Sequence, residues 1–232
     1  MTPPLRLTRD HIARVHRVVE DPGPVPGVVQ QTDADYAEWV ERILSTNPAK
    51  GRPIQLFAYG SLIWRPEIPH TSERPAVAKG WHRSFCLRMT RFRATVDQPG
   101  LMMALDRGGT CRGVILELPD EDPAGQLDRL FRREFTVKPI NSMPRWLRVQ
   151  TDMGAEPALG FVMNRASPNY AGRLPAEEVA QILARACGHW GTVAEYLLNT
   201  VTQLEARGIR DRGLWRLQAL VADEIDRIAP RP

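Results

Sequence analysis

VAKGWHRSFCLRM, residues 77–89, decides the fold class. Its side chains alternate. Val77, Lys79, Trp81, Arg83, Phe85, Leu87 and Met89 fall on one face, and Ala78, Gly80, His82, Ser84, Cys86 and Arg88 on the other. That period of two belongs to a β-strand. Outward from it, IQLFAYG (54–60) is a short apolar run that stops at a glycine and reads as a buried strand. LMMALD (101–106) and CRGVILEL (111–118) flank RGGT and predict a hairpin closed by a glycine turn. RWLRVQT (145–151) and ALGFVM (158–163) predict two more strands.

Helical spacing flanks this β region. Residues 8–19 place Ile12, Val15 and Val19 on one face, and DPGPVPG (21–27) then breaks the chain. In 33–46, Tyr36, Trp39, Val40, Ile43 and Leu44 form an apolar stripe expected to dock on the main body. Three helices are expected at the end: 175–187, begun by Pro175, 192–207, stopped by Gly208, and 211–228. Strands followed by helices predict an α+β fold with a closed or strongly curved sheet. Residues 1–50 read as a helical extension and 51–232 as the main domain.

Composition narrows the function. Of 232 residues, 43% are apolar and 25% charged, as in an ordinary globular chain. No apolar run approaches a membrane span, and the N-terminus has no secretory pattern. A net charge of +4, spread along the chain, is poor support for a nucleic-acid partner. Cys86, Cys111 and Cys187 form neither a disulfide framework nor a zinc pattern, and His11 and His16 miss the i, i+4 metal spacing. The expectation is a cytoplasmic protein with no metal, no cofactor and no membrane or nucleic-acid partner.

Four stretches offer chemistry. Tyr59-Gly60-Ser61-Leu62 ends a strand, and its free backbone N–H groups suit an anion; a plain turn is the alternative. In AGQLDRLFRREF (124–135), Leu127, Leu130 and Phe131 mark an apolar stripe, and Glu134 falls on it at i+7. A carboxylate there has its pKa raised by burial toward the range of a general acid/base. The alternative is a helix-end glutamate paired with Arg132, Arg133 or Lys138. SPNYAG (167–172) offers an amide and the Tyr170 phenol, and RMTRFRATVDQP (88–99) offers Arg93 among other basic residues.

FAYGSLIWRP (57–66), GWHRSFCLRMT (80–90), QPGLMMALDRGG (98–109), GVILELP (113–119), LFRREF (130–135), SPNYAGRLP (167–175) and GTVAEYLLNTVTQLEARGIRD (191–211) occur in this order. Together they resemble the ChaC-type γ-glutamylcyclotransferases, especially the bacterial branch, over roughly residues 54–220. The YGSL turn alone is shared with wider relatives. YGSLIW followed by GWHRSFCLR and an RRE helix end is far more specific. The resemblance implies a small mixed β-barrel of γ-glutamylcyclotransferase type with packed C-terminal helices. It implies cleavage of glutathione to 5-oxoproline and cysteinylglycine, without cofactor. It assigns Glu134 as the catalytic carboxylate and Tyr59, Gly60, Ser61 and Leu62 as the γ-glutamyl cradle. Tyr170 and Arg93 are further substrate-contact candidates. Phe131 stands where many eukaryotic members carry aspartate, and the segment Phe135–Lys138 lacks their Gly-Tyr. The alternatives are a cyclotransferase for other γ-glutamyl amino acids or amines, and a non-catalytic module that binds γ-glutamyl ligands.

Overall fold

The computed structural model describes residues 4–231. In chain order the elements begin with α1 (Arg9–Val15), β1 (Val29–Gln30), α2 (Asp33–Ser45), β2 (Gln55–Ala58), α3 (Ser61–Trp64), β3 (Ser72–Met89) and β4 (Gly100–Glu117). They continue with α4 (Pro123–Glu134), β5 (Val137–Lys138), β6 (Ser142–Thr151), β7 (Gly154–Met163) and α5 (Ala176–Arg185). The chain ends with β8 (Cys187–Gly188), β9 (Gly191–Thr192), α6 (Val193–Glu205) and α7 (Arg212–Ile228). The chain forms two compact units. One holds Gly27–Ser84 and Ala104–Tyr170; the other holds the described residues up to Pro26, Phe85–Met103, and the chain from Ala171 onward.

The first unit is a closed barrel in the order β2-β4-β3-β6-β7. β2 pairs antiparallel with β4, Phe57 opposite Ile115, and parallel with β7, Leu56 opposite Leu159. Closure leaves the ring without a free sheet edge. Leu56, Phe57 and Ala58 are fully buried, as their uninterrupted apolar run requires. α4 buries Leu127, Leu130 and Phe131 completely, and the Phe131 ring meets Phe161 of β7. Its start is fixed by Asp122, which accepts the Gly125 N–H at 2.9 Å, and by Pro123 in the first turn.

Gly113 of β4 permits a close approach of β2. A Cβ there would lie 2.4 Å from the Ala58 carbonyl oxygen and 2.9 Å from the Phe57 ring. Both atoms belong to β2, which has no room to withdraw. Gly113→Ala is expected to cost about 1–3 kcal/mol of folding stability by overpacking, measurable by urea denaturation.

Two sequence expectations change here. The RGGT stretch is not a hairpin turn, because β4 runs unbroken from Gly100 to Glu117 through it. Gly108 and Gly109 take positive φ, 105° and 72°, and the Gly108 carbonyl meets His82 Nδ1 of β3 at 2.9 Å. The glycines therefore bend a continuing strand rather than reverse it. The long hairpin is instead β3–β4, turned by residues 90–99. The single alternating face of 77–89 is also split. Ala76 and Ala78 are buried before Gly80, but Arg83 and Phe85 after it. Gly80, at φ 83°, departs from regular strand backbone between the two stretches, and beyond it Arg83 is buried.

The second unit is mainly helical. α6 is buried along most of its length by Val193, Ala194, Leu197, Val201 and Leu204, and α7 packs Leu214, Val221 and Ile225. α1 is shorter than the sequence predicts. It stops at Val15, His16 is extended, and Val19 lies beyond the helix. Leu7 N–H donates to Gln218 Oε1 at 2.8 Å and Arg14 pairs with Asp226 at 2.7 Å, which docks α1 on α7. The α2 stripe also docks, within the barrel unit: Tyr36 donates its hydroxyl to the Phe135 carbonyl at 3.0 Å. Pro175 is the N-cap of α5 rather than its first helical residue. Among the described residues, no helix is long and apolar enough to cross a membrane.

Candidate active site

The site begins where β2 runs out. The buried Tyr59 leaves the ladder and donates its hydroxyl to the Phe161 carbonyl of β7 at 2.9 Å. Gly60 then caps the one-turn helix α3. Ser61 and Leu62 occupy its first turn, where backbone N–H groups have no intrahelical acceptor. Leu62 and Ile63 are buried, which anchors the turn, while Ser61 stays half-exposed.

A residue without an assigned role holds this turn from beneath. The buried Arg83 donates Nε–H to the Tyr59 carbonyl at 2.7 Å and Nη2–H to the Arg112 carbonyl at 2.5 Å. A guanidinium forks two acceptors at fixed geometry, which a lysine cannot reproduce. Sequence reading placed Arg83 on a strand face and gave it no task. The strand carries Lys79, His82 and Arg88 as well, so nothing in the sequence singled Arg83 out as the one that is buried.

Glu134 is the last residue of α4, and Phe135 continues in extended conformation. Its side chain keeps 17% of its surface open. Loss of hydration raises its pKa to about 7, the nearby Glu67 charge adds to the rise, and Arg133 opposes it. Arg133 Nε lies 3.2 Å from Glu134 Oε1, so the helix-end pairing weighed from sequence is present as well. Desolvation outweighs it. Arg132 and Lys138 are engaged elsewhere, with Asp128 and Asp33 and with Asp35.

The turn and the carboxylate have common supports. Phe131 packs edge-on against Phe161, whose carbonyl holds Tyr59. Arg133 donates Nη1–H to the Pro66 carbonyl at 2.6 Å, just past α3. α2 braces the far side, where Tyr36 and Trp39 each pack on Phe135 at 5.9 Å between ring centroids. Phe131, where an aspartate was the family pattern elsewhere, is therefore a core aromatic here.

The remaining candidates sit in their own networks. Tyr170 donates its hydroxyl to Asp106 Oδ2 at 2.9 Å, and Arg165 Nε donates to Asp106 Oδ1 at 2.7 Å. Burial pushes the Asp106 pKa up, but Arg165, the Arg107 N–H and Tyr170 together prevail and hold it below the usual carboxylate range. Arg93 belongs to the helical unit, where Nη1 donates to the Thr192 carbonyl at 2.8 Å and to Glu195 at 3.0 Å.

Comparisons with known proteins agree with this architecture. The family model described as ChaC-like protein matches residues 54–224. A glutathione-specific γ-glutamylcyclotransferase of Escherichia coli is 37% identical over 74% of this chain and 73% of its own. γ-Glutamylcyclotransferase 2-3 of Arabidopsis thaliana is 31% identical over 68% of this chain and 82% of its own. Among solved structures, a γ-glutamyl cyclotransferase specific to glutathione from yeast has the same fold, with a TM-score of 0.68 and 18% identity over 75% of this chain and 97% of that one. With the match spanning the barrel, the turn and the Glu134 helix, the chain belongs to the ChaC-like protein family.

Proposed function

We propose that the protein is a glutathione-specific γ-glutamylcyclotransferase that converts glutathione to 5-oxoproline and cysteinylglycine. The observation that carries this reading is a glutamate with a pKa near 7, at a helix end tied through Arg133 to the segment just past the YGSL turn. The named activities of the Escherichia coli and yeast relatives support it.

The chemistry is an intramolecular acyl transfer. The α-amine of the γ-glutamyl group attacks its own γ-carbonyl carbon, and the new C–N bond closes a five-membered lactam. The bond from that carbon to the cysteinyl nitrogen then breaks. No water is consumed. Holding the glutamyl arm curled supplies much of the rate, since intramolecular attack carries a large effective concentration. Glu134 takes the proton from the α-ammonium and returns one to the leaving nitrogen. One carboxyl serves both steps because the two nitrogens flank one tetrahedral carbon. A pKa near 7 keeps a useful share of each protonation state at neutral pH. The first-turn N–H groups of Ser61 and Leu62, with Tyr59 and Gly60 shaping the turn, hold the substrate carboxylate or the developing oxyanion. Tyr170 and Arg93 are proposed as substrate contacts of lesser weight.

Residues 51–232 are proposed as the catalytic domain, with 1–50 added to it. The three described cysteines are all buried and free, in keeping with action in the reducing cytoplasm.

The test is product analysis. Purified protein given reduced glutathione is expected to release 5-oxoproline and cysteinylglycine in equal amounts. Folded protein that leaves glutathione intact but releases 5-oxoproline from another γ-glutamyl amine would replace the substrate. No 5-oxoproline from any γ-glutamyl compound would leave only a binding role.

A further inference from the structure

Glu134 is not paired simply with its neighbour. The Arg133 guanidinium stands between two carboxylates: its Nε is 3.2 Å from Glu134 Oε1, and its Nη1 is 3.3 Å from Glu67 Oε2. The same Nη1 also donates to the Pro66 carbonyl. Glu67 is an acidic residue held in left-handed backbone conformation, φ 55°, where a non-glycine residue is uncommon. Its side chain is 45% exposed and contacts Arg65 as well as Arg133. An exposed glutamate in an unfavourable backbone region, aimed at the counter-ion of a buried carboxylate, has no evident use in stabilising the fold.

We propose that Glu67 and Arg133 are positioning residues for Glu134: Glu67 draws the shared guanidinium away from Glu134, and so sets how readily Glu134 exchanges its proton. The proposal rests on the assignment of Glu134 as the acid/base. Its electrostatics follow from the geometry. A guanidinium that must reach two carboxylates cannot take its best geometry toward either, so its hold on each is weaker than in a dedicated pair. Glu67 also adds its own repulsion, and the pKa of Glu134 rises for both reasons after desolvation. The other charged groups nearby are committed elsewhere. On α4, Arg132 pairs with Asp128 and with Asp33 of α2, and Arg129 faces Asp122. Lys138 of β5 pairs with Asp35 of α2. Among the described residues, Glu67 and Arg133 are thus the charges that bear on Glu134 directly.

The test is the pH profile of kcat/KM with reduced glutathione, whose acidic limb reports the base in the free enzyme. Glu67→Gln removes the repulsion and returns Arg133 to Glu134, so the limb is expected to move to lower pH by about half a unit or more. Arg133→Met removes the counter-ion, so the limb is expected to move to higher pH by a similar or larger amount, on the order of one unit. Opposite displacements by two single substitutions are not produced by general loosening of the site. Limbs that coincide with the wild type, or that move in the same direction, would overturn the proposal. Glu67 is largely outside the core, so its variant is expected to fold.

Should Arg133→Met fold poorly or turn over too slowly, the Glu134 carboxyl is titrated directly. Infrared difference spectra against Glu134→Gln, recorded for wild type and Glu67→Gln, give the displacement without turnover. An unchanged titration there rejects the proposal on its own. Failure of the underlying assignment looks different: Glu134→Gln would then keep its turnover, whatever the Glu67 variant does.

Discussion

Glu134→Gln is expected to reduce turnover of glutathione by about 10²–10⁴-fold, the usual worth of a positioned acid/base, while leaving the fold intact. The amide retains the shape of the side chain but can neither accept the ammonium proton nor return one. The same substitution is expected to stabilise the folded protein at alkaline pH. The pKa of Glu134 rises from 4.5 to about 7 on folding, because burial penalises its charge. Below the unfolded value the carboxyl is protonated in both states and contributes no difference. As pH rises from there toward 7, the unfolded chain ionises more readily than the folded one, and the folded state loses stability. Above 7 the penalty is constant. Glutamine carries no such penalty, so at pH 8 the variant is expected to be more stable than wild type by about 1–3 kcal/mol, the gap closing near pH 4. Paired denaturation curves at the two pH values, with 5-oxoproline release measured alongside, check both halves. Near-normal turnover would remove Glu134 from the mechanism. A stability gain that does not depend on pH would remove the desolvation argument.

Arg83→Met is expected to give the second largest effect. The guanidinium is buried and holds the carbonyl of Tyr59, just past β2, and that of Arg112 in β4. Methionine fills much of the volume but leaves both acceptors without this donor, a loss of about 2–4 kcal/mol in folding stability. The Tyr59 carbonyl lies one residue before Gly60, so the turn that positions the Ser61 and Leu62 N–H groups loses its support from beneath. A displacement of about 1 Å there is enough to cost on the order of 10²-fold in kcat/KM. Arg83→Lys separates the two consequences. It keeps the charge and one donor direction, so it is expected to recover most of the stability while remaining impaired in kcat/KM. Thermal melts and kinetics well below the melting temperature decide it. Full activity in Arg83→Lys would mean that charge alone, not the fork, supports the turn.

The pattern of residue types carried the elements and the main candidate. The period of two in β3, the apolar run of β2 and the 3.6-residue stripe of α4 are local properties of the chain, so they are readable without coordinates. Glu134 was legible for the same reason: a carboxylate at i+7 of an apolar stripe must approach the core wherever the helix docks. The glycines were read less well. Gly80, Gly108 and Gly109 signal a departure from regular backbone, but whether that departure is a turn or a bulge depends on the strand lying alongside. The His82–Gly108 contact settles it across β3 and β4.

The burial of Arg83, the bracing of Phe135 by Tyr36 and Trp39, and the sharing of Arg133 between Glu67 and Glu134 were decided only by tertiary structure. Each joins segments far apart in the chain, and a charge's environment is set by whatever folding brings within a few ångströms. The sequence by itself determined an α+β chain with an anion-suited turn and a stripe-borne glutamate. Only the tertiary structure decided that burial raises the glutamate's pKa to about 7, because desolvation depends on the surface that covers a group and not on its neighbours in sequence.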